Sequence, residues 1–590
     1  MRAVLLIAIL TGIVAGLLPP PAAAQEADLI LTNARVWTGE QDQPWAQAVA
    51  VRGERILAVG SAAEIERHRT SHTRVVDAGG RLVTPGFIDN HTHFNQAGAL
   101  LLGVNLLDVS EPRAFARRVR EARERLPQGA WITGGDWGAY EDWEMGATGQ
   151  QQGGARQRRF RPTRAMIDSI TPQTAVLLSR WDRSEHLANS VALERAGLSC
   201  AQPVEGLECE RGRATGHVSG EALQRIRRSI PPKAFEQRLM EARVALRQLA
   251  EFGVTGIHDI TPPEQFPVYQ ALKERGELTT RVYGRPTLDK WDELAAVGIT
   301  HGFGDELLKV GGLKGFTDGI MGNSTARFYE PYLHSGRRGE WRDSTNTGVT
   351  NGGPGSGMMP PGNMERNIRG ADAAGLWPQI HAIGDEAIDT LLTLYEQVIR
   401  EHGPRERRFR IIHTQVLRDA SVAERMARSG IIAEVQPYHA IDDMRWMEER
   451  IGERARWAYA FRTLHDAGVL LSFGSDWPGT NASWYTANPL HGIYAAVTRQ
   501  TLDGQPAGGW FPEERIDVET ALRAYTVNNA YAAGEERIKG SIAPGKLADL
   551  VVLDRDLFAV RPEEIKEVQV VLTLLGGRVV HEAEGPARER

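Results

Sequence analysis

The chain has 590 residues, 42% of them hydrophobic and 24% charged, with a formal net charge of −6. One hydrophobic core stops growing at roughly 250–300 residues, so more than one packed unit is expected. The composition is that of a folded protein rather than a disordered one. The small negative charge, with no basic block, argues against nucleic acid as a partner.

The first 24 residues stand apart from the fold. Arg2 precedes the apolar run AVLLIAILTGIVAGLL, and PPPAAAQ offers a small-residue cleavage site ending at Ala24. This is the layout of a secretory signal peptide. A membrane anchor is the competing reading, since the run approaches the ~17 residues of a span; the prolines and small residues that follow favour cleavage. No other segment is apolar enough to span. The mature chain is therefore expected to be exported, periplasmic or secreted, with no stable membrane association.

Residues 26–82 read as short strands (LILTNARVWTG, AVAVRGERILAVG, RVVDAGGRLVTP), and so do residues 540–582 (SIAPGKLADLVVLDRD, VQVVLTLLGGRVVH). Two β-rich ends around a long middle suggest one small β domain shared by both termini. Across 83–539, apolar runs bounded by turn signals alternate with helix-length segments, the pattern of a parallel sheet. The runs are LVTPGFIDNHTH, GVTGIHDI, TRVYGRP, LLKVGGLKGF, PQIHAIG, FRIIHTQ, IIAEVQP and LLSFGSDW. Eight is the number that closes a (β/α)₈ TIM barrel.

The first two runs are too far apart for a crossover helix, so 98–250 reads as an inserted α+β subdomain. Its Cys200 and Cys209, the two cysteines of the chain, lie in a Gly-, Pro- and Glu-rich stretch; in an oxidising compartment they are expected to pair. A second insertion, 344–363, is rich in Gly, Pro and Asn and follows the fourth run. It reads equally as a disordered excursion or as a lid over the face where barrel active sites form.

Side chains able to bind metal recur near the C-terminal ends of five runs: His91 and His93, Lys314, His381, His413, and Asp476. On a strand, His91 and His93 project from the same side. Each residue alone has an ordinary reading: a partly buried core histidine, or a helix cap for Asp476. Their joint placement at the strand ends where barrel enzymes gather catalytic groups points to a metal centre. Lys314 is one of only eight lysines among 69 basic residues. An ammonium cannot ligate a metal, but a lysine carbamate can bridge two cations, and a desolvated lysine is suited to form one. The other reading is a lysine extending to solvent or paired with Asp318. Imidazole and carboxylate ligands suit zinc and similar divalent metals. Two bridged metals would hold a hydroxide and polarise a carbonyl, with Asp476 moving the proton. No GxSxG or Cys/His arrangement offers a nucleophilic side chain instead.

PGFIDNHTH and GSIAPGKLADLVVLD resemble the first-strand motif and the C-terminal return of the amidohydrolase superfamily. KGFTDGIMGNSTARFYEPY, HAIGDEAID, IIHTQ, VQPYH, GSDWP, GGDWGAYEDW and HLANSVAL resemble its branch that includes N-substituted formamide deformylases and YtcJ-type proteins. The resemblance implies a (β/α)₈ barrel with a small β-sandwich from both chain ends. It implies one metal on His91, His93 and Asp476, a second on His381 and His413, carboxylated Lys314 between them, and Asp476 as general base. Trp137, His186, His258 and His439 fall in family-like motifs or at strand ends and are candidate substrate contacts; His439 is placed to stabilise a carbonyl oxygen. The expected activity is hydrolysis of a C–N bond in a small molecule, an N-substituted formamide or N-acyl compound, with two zinc ions per chain. The alternatives are a mononuclear deaminase-like or ester/lactone hydrolase with a structural Lys314, and a non-catalytic binding or regulatory protein on the same barrel. Homo-oligomerisation is left open.

Overall fold

The computed structural model describes residues 25–138, 160–181, 183–342, 363–480 and 483–583. The expected signal peptide and residues 344–362 of the loop insertion lie outside the described residues.

The two chain ends share a six-stranded sheet. Leu550–Leu553 lies antiparallel to Leu82–Pro85 in the register Val551↔Thr84, and Val570–Leu575 and Arg578–Glu582 extend it. A four-stranded sheet holds Leu29–Thr32, Ala48–Arg52, Arg55–Gly60 and Arg74–Asp77. Strand side chains alternate between faces. Accordingly Leu29, Leu31, Val49 and Val51 join Val83, Leu550 and Val552 in one apolar cluster, while Ile30, Ala48 and Ala50 face Ile65 of the helix Ala62–Glu66 on the other side.

The middle of the chain supplies eight strands: β1 (Phe87–Thr92), β2 (Val254–Ile260), β3 (Arg281–Arg285), β4 (Gly312–Phe316), β5 (Trp377–Ala382), β6 (Arg410–His413), β7 (Ile432–Val435) and β8 (Leu471–Phe473). β1, β2 and β3 pair in parallel in one sheet, and β4 to β8 pair in parallel in another. Every residue of these strands is buried, as expected of strands covered on both faces. The fourth run divides at Gly311: Leu308–Val310 pairs with β3, and β4 pairs with β5. A Cβ at Gly311 would lie 2.2 Å from the Tyr283 ring, so the division falls where only glycine fits. A parallel bridge joins Thr287 to Lys314. At the other edge, Asp476 N–H donates to His91 O and His93 N–H donates to Trp477 O, each at 2.8 Å.

Helices connect successive strands. Asp385–His402, between β5 and β6, buries Ile388, Leu391, Leu392, Tyr395 and Val398 on one stripe. Asp385 and Glu386 in its first turn and Arg400 and His402 in its last complement the helix dipole. Phe235–Glu251 packs on Phe94–Leu102, with Gly98 so close that a Cβ would lie 2.5 Å from Glu241 O. Its Leu239, Leu246 and Leu249 share a core with Val254, Ile257 and Val282, so this helix covers β2 and β3.

Within the inserted segment, a five-stranded sheet runs from Ile132–Trp137 through Val176–Arg180, His186–Ala188 and Arg213–Val218 to Leu207–Glu210. Cys200 and Cys209 are joined by a disulfide. No helix among the described residues is long and apolar enough to cross a membrane.

Candidate metal centre

The paired histidines at the end of β1 and the carboxylate that follows β8 meet at one atom. His93 Nε2 lies 3.1 Å and His91 Nε2 3.3 Å from Asp476 Oδ1. A second group shares that carboxylate: the ligand atoms of His413, His439 and Asp476 lie within 4.8 Å of one another, as do those of His91, His93 and Asp476. His439 Nε2 is 3.9 Å from Asp476 Oδ2, and its ring stacks on Tyr485. His381, on β5, packs edge-on against His413 with ring centres 4.6 Å apart. Its Nε2 is bonded to Gly319 O at 2.9 Å and lies 3.3 Å from Asp318 Oδ1, and it belongs to neither close ligand group among the described residues. Lys314, on β4, is wholly buried, with Nζ 4.7 Å over the Phe316 ring and no hydrogen-bond partner among the described residues.

Local packing fixes this geometry. Asp89 accepts from His91 N–H at 3.0 Å, from Ser475 N–H at 2.9 Å and from Ser475 Oγ–H at 2.5 Å, tying β1 to the Asp476 segment. The approach is so close that a Cβ on Gly474 would sit 2.1 Å from Asn90 Oδ1. Asn529 Nδ2 donates to both Ile88 O and Phe473 O, pinning β1 to β8 from the opposite side. His413 and Asp476 adopt φ of 72° and 58°. Such left-handed backbone is uncommon outside glycine and concentrates at functional sites.

The electrostatics suit cation binding. Burial, followed by the cations Lys314 and Arg285, pushes the His91 imidazole well below its ordinary range. Burial does the same to His413, with His381 adding to it, and lowers His439 to about 4. These rings are neutral at pH 7, each with one N–H and one lone pair. Burial alone would raise the Asp476 carboxyl, but His93, hydrogen-bonded to it, outweighs this and holds the group below the ordinary range, ionised. Burial and Arg285 lower Lys314 to about 7, so a substantial share of its amine is unprotonated near neutrality. The neutral His91 imidazole and the Asp476 carboxylate facing each other across 3.3 Å, beside a buried amine with no hydrogen bond among the described residues, form a donor set that fits a divalent cation.

The remaining candidates have partners of their own. Trp137 is packed in the core of the inserted sheet with Val104, Phe115 and Ile132. His186 is on that sheet, its Nδ1 bonded to Ser179 Oγ at 3.0 Å. His258, on β2, is wholly buried, its Nδ1 bonded to Arg410 Nη1 at 2.9 Å. Groups that sequence reasoning missed surround the centre: Glu434 and Gln436, which bond His91 and His413, and Arg285 and Arg410, which bond Glu434. Their signal was present, as charged or polar residues at apolar runs, where an unpaired polar group is costly.

A family model described as "Amidohydrolase family" matches residues 74–581. The chain is 33% identical to Protein LONG AFTER FAR-RED 3 of Arabidopsis thaliana over 96% of this chain and 93% of that one. It is 28% identical to an N-substituted formamide deformylase of Arthrobacter pascens over 95% of this chain and 99% of that one. Among solved structures, an uncharacterized metal-dependent hydrolase from Pyrococcus furiosus is similar with a TM-score of 0.67 and 26% identity, covering 90% of this chain and 99% of that one.

Proposed function

Because the chain belongs to the amidohydrolase family, we propose that it is an exported metal-dependent hydrolase that cleaves a C–N bond of an amide-type small molecule, with N-substituted formamides and N-acyl compounds the closest classes. The observation that carries this reading is the convergence of His91 Nε2 and His93 Nε2 on the buried, ionised Asp476.

On this reading, β1 to β8 close into one (β/α)₈ barrel across 83–539, with 98–250 inserted and a β-sandwich formed from 26–82 and 540–582. The division at Gly311 and the backbone bonds between His91, His93 and the Asp476 segment support closure. The Cys200–Cys209 disulfide supports export to an oxidising compartment. The partner is a small molecule, not nucleic acid or membrane.

His91, His93 and Asp476 would hold one divalent cation, zinc being the metal this donor set suits, and His381 and His413 a second, with a carbamate of Lys314 between them. When bound, such metals supply Lewis acidity toward the carbonyl oxygen and make a water acidic enough to attack at neutral pH. Asp476 accepts the proton of the attacking water as its oxygen bonds to the carbonyl carbon and delivers it to the nitrogen as the C–N bond breaks, so amide and water become acid and amine. His439, whose Nε2 has no hydrogen bond among the described residues and stands beside Asp476, donates to the carbonyl oxygen as charge develops on it, in the form that carries hydrogen on Nε2.

A second reading keeps one metal, on His91, His93 and Asp476, with a structural Lys314 and deaminase-like or ester/lactone chemistry. Favouring it are the packing of Lys314 Nζ over Phe316 and the absence of His381 from both close ligand groups among the described residues. The test is a panel of formamides, N-acyl amines, aminated heterocycles, esters and lactones incubated with zinc-loaded mature protein. Amine release from amides, abolished in Asp476→Asn, is expected. Turnover confined to the other classes would favour the second reading, and turnover of nothing would favour a non-catalytic protein.

A further inference from the structure

Glu434, on β7, is wholly buried and contacted from three strands. His91 Nδ1 is 2.9 Å from its Oε1; Arg285 Nη1 donates to Oε1 at 2.8 Å and to Oε2 at 3.1 Å; Arg410 Nη1 donates to Oε2 at 2.9 Å. Arg285 and Arg410 are themselves wholly buried and held by backbone carbonyls, Arg285 Nη2 by Asn90 O and His258 O, Arg410 Nη2 by Ala532 O. Two residues further along the same strand direction, Gln436 Oε1 lies 2.7 Å from His413 Nδ1.

A carboxylate clasped by two guanidinium groups only accepts hydrogen bonds. His91 Nδ1 therefore carries the hydrogen, and Nε2 carries the lone pair. That lone pair faces Asp476 Oδ1 at 3.3 Å, an acceptor facing an acceptor. With Gln436 Oε1 as the acceptor beside Nδ1, His413 takes the same tautomer, and its free nitrogen then belongs to the group it forms with Asp476 and His439.

We propose that β7 and the residue just past its end position this centre: Glu434 and Gln436, two residues apart, lock His91 of β1 and His413 of β6 in the Nδ1–H tautomer and aim both Nε2 lone pairs at the space beside Asp476. The inference rests on His91 and His413 being metal ligands. Glu434 and Gln436 are positioning residues and touch no substrate. Arg285 and Arg410 keep Glu434 an obligate acceptor, so the orientation of His91 is set before any cation arrives.

Wild type, Glu434→Gln and Gln436→Met are purified as mature full-length chains, stripped with a chelator and titrated with zinc against a chromophoric competitor. Gln436→Met removes an acceptor without stranding a buried charge, so it decides the question if Glu434→Gln does not fold. In parallel, stripped wild type labelled with 15N-histidine is examined by long-range 1H–15N correlation, with His91 and His413 assigned from their Asn variants. The expected result is an Nδ1–H tautomer for both rings in stripped wild type, and zinc affinity about 10–100-fold weaker in the folded variants. An Nε2–H tautomer at His91, or variants that bind zinc as wild type does, would overturn the inference while leaving the metal centre standing. If wild type itself binds no zinc, the metal centre falls and the inference with it.

Discussion

His93 Nε2 stands 3.1 Å from Asp476 Oδ1, the same oxygen that His91 Nε2 approaches at 3.3 Å. The contact joins the end of β1 to the segment after β8, so a residue 383 positions away in sequence completes the paired histidines of NHTH. In Asp476→Asn the side chain keeps its size but loses its charge and one acceptor. Turnover on the best panel substrate is expected to fall by about 10²–10⁴-fold, the usual loss of a general base, together with metal from the His91–His93 position. Measured kcat/KM and zinc content within a few-fold of wild type would remove Asp476 from both roles.

Lys314 is the residue whose role separates a binuclear from a mononuclear centre. Its Nζ is buried without a hydrogen bond among the described residues, and burial with Arg285 lowers it to about 7. Wild type reconstituted in CO₂-depleted buffer should take up less metal than in bicarbonate. Lys314→Ala should bind about one equivalent less in either buffer and lose most turnover. Equal metal content and activity in Lys314→Ala would make the lysine structural.

Asp443 gives the protein a stability signature in pH. Tyr459 OH donates to its Oδ2 at 2.5 Å and Gln415 Nε2 at 2.8 Å, yet burial pushes the carboxyl up to about 7. The folded chain holds this proton more tightly than the unfolded chain, where aspartate titrates near roughly 3.9. The contribution is full below that value and is lost as pH rises through about 7. Chemical denaturation at acidic and at slightly alkaline pH should show a difference that shrinks by about 1–4 kcal/mol in Asp443→Asn. An unchanged difference would place the titration elsewhere.

The Cys200–Cys209 disulfide closes a short loop, with a sequence separation of 9. A loop of this size constrains the unfolded chain by about 2–3 kcal/mol. Cys200→Ser/Cys209→Ser should therefore unfold earlier on heating, and exported wild type should show no free thiol until reduced. Two titratable thiols in exported protein would contradict both the pairing and the compartment.

The strand ends were legible because turn residues punctuate them: Pro-Gly opens the β1 run, and Gly474, which the approach of Asn90 requires, precedes Asp476. The period-two spacing of His91 and His93 carried the same information. The division of the fourth run at Gly311 was not legible, because it depends on the Tyr283 ring reaching across from β3. Helix Phe235–Glu251 read as part of the insertion because chain order places it there, whereas its apolar stripe packs against residues of β2 and β3. The clasp of Glu434 by Arg285 and Arg410 escaped for a related reason. Each charge is visible within an apolar run, but their meeting depends on three strands coming together, and sequence spacing says nothing of that.

The measurement that bears most directly on the central claim is metal per chain, by mass spectrometry, on mature protein purified without chelator and with bicarbonate present. Close to two equivalents are expected in wild type, with His91→Asn and Lys314→Ala each falling toward one. One equivalent in wild type, unaffected by Lys314→Ala, would contradict the bridged pair, and none would contradict a metal centre at His91, His93 and Asp476.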